Sequence, residues 1–526
     1  MQITEAYNQV NKKWKSTCKL LLNLEPKDLE KYKEWLKPEI EHGKVLYSFK
    51  SKRLVFFTAT DYPDFGKCLS YEEVAFNAKF PPLSINQIKD IDSIVEAIQD
   101  RLIFAGNVIL GNSGKIANSS NITDSFFVYE CKNSAHSKYI AYSEMTMYSE
   151  YIFGSYGIGY SSFCIKPASS MKLSRTIEAI KCGNSSDIYY CSGVENCREC
   201  FFCFNVENYS YAIGNLKLSK DKYFSIKKKL IEDLKEILIK ENRLPTLFEI
   251  ASKEKPDYSL LEKMQKIEAA KEEQNIEIIE KAFNQTTKIV LKKPLYDIKK
   301  YENWLLRHSR KYEKVKSCFS GKEIILPDHT HFLLMPKDRV LTEQEAEKFG
   351  ALFSISISDA ERLRLSNAPQ IISKIAFFSP EWKVENCKNN ILSYVIVNST
   401  DTYKLTLPIN AKKCACGYWH RDSENIFGGN GVRSSSFSIK NYRSEKMNRC
   451  FECDSCYSSS DTFYSHNCQN LQDCMFCFNF NNARYAIGNT VFSKEQYLKT
   501  KENILEQILS DLEKNKSTRS IFDLVK

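Results

Sequence analysis

The chain has 526 residues, 43% hydrophobic and 27% charged, with a mean hydropathy of −0.41, a composition that excludes whole-chain disorder. Lys and Arg outnumber Asp and Glu by 75 to 65, a mild excess that permits an anionic partner without demanding one. No run approaches about 18 uninterrupted apolar residues, and the first residues lack the basic and apolar regions of an export signal, so the expectation is no membrane partner and a cytoplasmic location, or an intracellular one in a host.

In chain order, residues 1–108 mix a short helix (Leu29–Trp35) with a β-like run (Val45–Phe57) and predict a small α+β subdomain. Residues 109–215 carry a period-three ladder. From Ser119 to Cys203, all twenty-nine positions in steps of three are small or aliphatic, and none is charged, aromatic or an amide. Period three is neither the 3.6 of a helix nor the 2 of a flat strand. It predicts a narrow β-coil with one residue in three pointing inward.

Columns set the turn length. Ser113, Ser125, Ser137, Ser149 and Ser161 recur at twelve residues; so do Ile116, Val128, Ile140 and Ile152, and on the outside Phe127, Tyr139, Tyr151 and Phe163. Twelve residues per coil with four inward positions follows. Coils stacked at about 4.8 Å would give roughly eight turns over roughly 35–40 Å. Ser219 and the apolar stripe Tyr223, Ile226, Leu230, Leu234 and Ile237 then predict a capping helix over 216–252.

A charged, helix-prone linker is expected over 253–296, a second α+β subdomain over 297–383, a second solenoid over 384–489 and a second capping helix over 490–526. The repetition is explicit. Tyr-Ala-Ile-Gly-Asn occurs at 211–215 and 485–489, 274 residues apart; Leu247-Phe248-Glu249 recurs at the same offset as Ile521-Phe522-Asp523. Upstream, Lys31 to Trp35 resembles Lys300 to Trp304 at an offset of 269. The fold class expected is α+β, a tandem duplication of an α+β subdomain, a short β-solenoid and a capping helix. The second ladder keeps phase through Cys387, Ser393, Ile396, Ser399, Thr402, Leu405, Ala411 and Cys414, with Asn390, His420 and Asn441 as polar intruders.

With Cys at every third position and the Tyr-x-Ile-x-Asn…Ser-Lys-x-x-Tyr tail, the chain resembles uncharacterised Cys-rich proteins of small-genome microbes and their viruses. The coil spacing is similar to that of insect antifreeze β-solenoids. The first resemblance brings no activity, and the chain lacks the outward Thr-x-Thr array an antifreeze face would need.

Nineteen Cys raise the question of metal. Cys197, Cys200 and Cys203, Cys474 and Cys477, and Cys414-x-Cys416 with His420 have ligand-like spacing for zinc. Against this, the clustered Cys fall on the inward phase, and at the 274-residue offset Cys191 becomes Ser465 and Cys197 becomes Leu471. Exchange with Ser and Leu marks packing positions, so reduced, buried thiols and no cofactor are expected; Cys416 is off phase. Asp328-His329-Thr330-His331 reads as a polar turn, and His308 within Arg307–Lys311 as a solvated basic face. For nucleic acid, the candidates are the column Phe127, Tyr139, Tyr151 and Phe163 with the basic cluster Lys227, Lys228 and Lys229. A rigid solenoid with a filled interior suits docking better than catalysis. The expected function is a non-enzymatic interaction protein on a protein or ribonucleoprotein assembly, with an RNA- or DNA-binding factor and a zinc-dependent or hydrolytic enzyme as alternatives.

Overall fold

The computed structural model describes residues 5–525 except 39, 41–42, 65, 266–273, 310 and 419–422. It is a mixed α/β chain whose dominant feature is a large, curled, all-parallel sheet. Among the described residues no helix is long and apolar enough to cross a membrane.

Two compact units divide the chain. Unit 1 comprises Met1–His42, Val108–Ala269 and Tyr312–Trp382; unit 2 comprises Gly43–Asn107, Ala270–Lys311 and Lys383–Lys526. Residues 1–108, expected as one subdomain, are thus split. Residues 43–107 fold with the second ladder, and 312–382 fold with the first.

In unit 1, four-residue strands follow one another at six-residue intervals from Gly114, and each pairs in parallel with the strand twelve residues on: Lys138 with Glu150, Ile140 with Ile152, Glu144 with Tyr156. The opening coil departs from this, with Ile109 paired to Ile122 thirteen residues away. All twenty-nine inward positions from Ser119 to Cys203 are buried. Ser113 and Ile116, in the first coil, are only half-buried.

Corners make the coil possible. One residue in three, on the phase Asn121, Asp124, Phe127, Glu130, Asn133 and onward, has φ between about +43° and +69°. This left-handed turn costs a non-glycine residue about 1–2 kcal/mol. The ladder hydrogen bonds and stacked corner side chains offset that cost. Asn, Asp and Gly recur on this phase (Asn121, Asp124, Asn133, Gly154, Gly157, Asn184, Gly193, Asn196), and these are the residues that tolerate it best.

Serine suits the interior for a reason beyond size. Ser137 Oγ donates to the Ala135 carbonyl at 2.8 Å and accepts the Ser149 amide at 3.3 Å. Ser143 and Ser161 repeat the pattern, back to the carbonyl two residues earlier and up to the amide twelve residues later. Each such bond contributes about 1 kcal/mol net. Cys makes the weaker version: Cys182 Sγ donates to the Ile180 carbonyl at 3.3 Å and Cys191 Sγ to that of Tyr189 at 3.3 Å.

The helix Glu5–Leu22 lies on the outer column that contains Tyr129 and Phe153; Trp14 meets Phe153 edge-on at 5.2 Å and Tyr7 meets Tyr129 at 5.1 Å. The antiparallel pair Ser210–Ile213 and Leu216–Lys217 ends the ladder, and Ser219 caps the helix Lys220–Glu241. Tyr223, Ile226, Leu230 and Leu234 are buried as expected, but Leu238 takes the place expected for the half-buried Ile237.

In unit 2 the register of twelve recurs, for example Thr400 with Lys412, Thr402 with Cys414 and Thr462 with Cys474. The helix Ile276–Leu291, within the stretch expected as a charged linker, buries Ile279, Ala282, Phe283 and Val290, and Phe283 packs on Phe427 at 5.2 Å. Ser493 and Gln496 form the expected capping box of the helix Lys494–Asn515, whose Tyr497, Ile504, Ile508 and Leu512 are buried.

Candidate functional site

The corners dictate what the first solenoid shows. Side chains twelve residues apart stand one above another at the strand spacing, so flat rings stack. The expected column does this: Phe127 on Tyr139 at 4.9 Å, Tyr139 on Tyr151 at 5.3 Å and Tyr151 on Phe163 at 4.5 Å, with planes within 11° of parallel. All four are half-buried, and Lys13 of the N-terminal helix places Nζ 5.1 Å from the Tyr139 ring and 5.6 Å from Tyr151. The faces of the inner rings are therefore occupied by neighbouring rings, and a nucleic-acid base would meet their edges.

A second ladder stands on the adjacent corner. His136, Tyr148 and Tyr160 stack at 4.6 and 4.9 Å with planes within 8° of parallel. Tyr148 is 46% and Tyr160 56% exposed. Asp124 continues the column below, its Oδ2 3.9 Å from His136 Nδ1, and Lys172 occupies the next place above Tyr160. The twelve-residue spacing of His136, Tyr148 and Tyr160 is visible in the sequence; their exposure is not.

The basic cluster divides. Lys227 is half-buried, pairs with Glu199 at 2.6 Å and lies 4.8 Å over the Tyr189 ring, which ties the capping helix to the solenoid. Lys228 and Lys229 are exposed.

Cys197, Cys200, Cys203, Cys414, Cys416, Cys474 and Cys477 are buried free thiols, and His420 lies outside the described residues. Among the described residues no three His, Cys, Asp or Glu side chains gather as a metal site. Cys197, Cys474 and Cys477 instead donate to the carbonyls of Glu195, Gln472 and Met475 at 3.2–3.4 Å, as the serines do. Burial pushes the Cys164 and Cys182 thiols up to about 12, which keeps them protonated. Cys416, off the inward phase, is a left-handed corner residue buried in the outer apolar cluster of unit 2.

Two polar clusters have the residue types of catalytic sites. In unit 1, Tyr156 Oη lies 2.8 Å from His329 Nδ1, and Ser169 Oγ 2.9 Å from His331 Nε2. The expected polar turn is instead a short helix, Thr330–Leu333, that buries both histidines; burial holds His331 down at about 3 and therefore neutral. In unit 2, Asp454 accepts from Tyr62 Oη at 2.8 Å, Arg443 Nε at 2.9 Å and His466 Nδ1 at 3.0 Å, while His466 Nε2 accepts the Ala105 amide at 2.9 Å. That last bond requires the proton on Nδ1 and fixes the tautomer. Burial alone would raise the Asp454 carboxyl, but Arg443, His466 and Tyr62 hold it well below the usual range. Asp454 and His466 are fully buried, so the cluster fastens residues 43–107 to the second ladder. His308, expected on a solvated face, belongs to its edge, with Nδ1 2.8 Å from Asp61 Oδ1 and a side chain 10% exposed.

Comparison with protein-family models, curated proteins and solved structures finds no match to this chain.

Proposed function

We propose that this protein is a non-enzymatic interaction scaffold, built as two tandem copies of one solenoid-bearing unit, that docks on a protein or ribonucleoprotein assembly. The observation that carries this is the ladder His136, Tyr148 and Tyr160. Tyr148 and Tyr160 are exposed, and stacking covers both faces of Tyr148 and one face of Tyr160, so the ladder offers mainly ring edges and phenol hydroxyls at a fixed repeat of 4.6–4.9 Å. Edges and hydroxyls on a rigid lattice suit a hydrogen-bonding protein surface, whereas single-stranded nucleic acid needs free ring faces. A solenoid core filled by side chains makes that surface inflexible, which lowers the ordering cost of binding.

The test compares wild type with a Tyr148→Ala/Tyr160→Ala double variant in cross-linked capture from native lysate. The expected result is a discrete protein partner held by wild type and lost by the double variant, with an unchanged fold by circular dichroism. Salt-dependent retention on RNA that requires Lys228 and Lys229, with the tyrosines dispensable, would replace this function with nucleic-acid binding.

A further inference from the structure

In unit 1 a cleft of about 710 Å³ opens between Trp35 and Pro38 on one side and Phe248 and Glu249 on the other. Trp35 and Phe248 are almost wholly buried and give it aromatic walls. Lys166, also in the wall, is turned to the backbone, where Nζ donates to the Trp35 carbonyl at 3.1 Å. Glu249 accepts from Arg243 and from the Thr246 amide, both through Oε2; its Oε1 takes no protein donor among the described residues. The lining charges balance, Lys31, Lys166 and Arg243 against Glu34, Glu241 and Glu249, so any cation selectivity rests on the free Glu249 oxygen and not on net charge.

The second half of the chain shows what this place accommodates. The two sequence offsets carry Trp35 to Trp304, Pro38 to Arg307, Phe248 to Phe522 and Glu249 to Asp523. Packing within each unit agrees with that equivalence. A Cβ on Gly154 would fall 2.9 Å from the Leu36 carbonyl oxygen, and one on Gly428 2.8 Å from that of Leu305. The Leu247 amide donates to Glu178 at 3.2 Å, and the Ile521 amide to Glu452 at 3.2 Å. In unit 2, Arg307 spans from one wall to the other and donates to both oxygens of Asp523, at 2.6 and 2.7 Å. The chain itself supplies a guanidinium there. In unit 1, Pro38 has no side-chain donor; Glu249 takes the Arg243 guanidinium on Oε2, where unit 2 has Ser517 in place of Arg243, and keeps Oε1 for a second one.

We propose that the unit 1 cleft binds a guanidinium group, carried by a free small molecule or by an arginine side chain of a peptide. Glu249 Oε1 would accept the charge-assisted hydrogen bond, and the stem would lie between the Trp35 and Phe248 walls. This uses the equivalence of the two halves and is independent of docking through the tyrosine ladder.

The experiment is isothermal titration calorimetry of the full chain with L-argininamide and with a blocked Gly-Arg-Gly peptide. Saturable one-to-one binding is expected, weakened at least about tenfold by Pro38→Arg, which installs the guanidinium of unit 2, and by Glu249→Gln. Both positions are exposed, and unchanged melting temperatures would show that both variants fold. Binding of argininamide identifies a small-molecule source; binding of the peptide alone identifies a peptide source. No saturable binding of either probe, equal affinity for lysinamide, or full affinity in Pro38→Arg would overturn the proposal.

Discussion

The hydroxyl of Ser149 accepts the amide N–H of Ser161, twelve residues along the chain, at 3.0 Å and donates to the Met147 carbonyl at 2.7 Å. One inward side chain thus joins two successive coils while satisfying its own. Ser149→Ala leaves both backbone groups without that partner and is expected to cost about 1–3 kcal/mol. Ser149→Cys should cost less, because Cys182 fills the same role with sulfur. Ser149→Phe and Ile140→Lys should unfold the ladder, since both sites are buried, while Lys138→Ala, exposed, should stay within about 0.5 kcal/mol of wild type. Urea denaturation of the five variants checks this order.

Asp454 is fully buried and bonded to Arg443, His466 and Tyr62. Asp454→Asn leaves buried Arg443 with the more distant Asp61, 3.8 Å from Nη1, and should cost about 3 kcal/mol at pH 7. Because the folded-state carboxyl is held below its unfolded value, its stabilisation is present above pH of about 4 and is lost as pH falls through the folded-state value. The stability gap between wild type and Asp454→Asn should therefore be constant from pH 7 to 5 and shrink below pH of about 4. Denaturant titrations at each pH measure it; a gap that widened in acid would remove Asp454 as the cause.

Of the nineteen free cysteines, only Cys318 and Cys387 are not buried, and burial pushes Cys318 up to about 12. Native protein at pH 8 should therefore react with an aromatic disulfide reagent at two thiols or fewer within minutes, and at all nineteen in guanidinium. Fast reaction of the Cys197–Cys203 cluster in native protein would contradict its place in the coil interior.

Gly154 has φ of +69°, and a Cβ there would approach the Leu36 carbonyl oxygen to 2.9 Å; Gly428 has φ of +68° and the same problem with Leu305 at 2.8 Å. Gly154→Ala and Gly428→Ala should each cost about 2–4 kcal/mol, from backbone strain plus the clash. Gly321→Ala is the control. Its φ is +72° but nothing lies within 4 Å, so only the strain of about 1 kcal/mol should appear in thermal melts.

The period-three pattern was sufficient to place every inward residue from Ser119 to Cys203, because a narrow coil admits only small or aliphatic groups at its axis and each coil repeats the constraint locally. The corner phase was equally legible in Asn121, Asp124, Asn133 and Gly154, which tolerate a left-handed backbone. His329, His331 and His308 looked like surface residues because their neighbours in sequence are polar; their burial partners, Tyr156 with Ser169 and Asp61, are far away along the chain. The membership of 43–107 in the unit of the second ladder likewise rests on Tyr62 and Ala105 meeting Asp454 and His466, about 360–390 residues away. Which tyrosine ladder is exposed depends on where the helix Glu5–Leu22 lies. Local repetition encodes the coil, since its hydrogen bonds join residues twelve apart; partner choice between distant segments is settled only when apolar and charged groups from both are buried together.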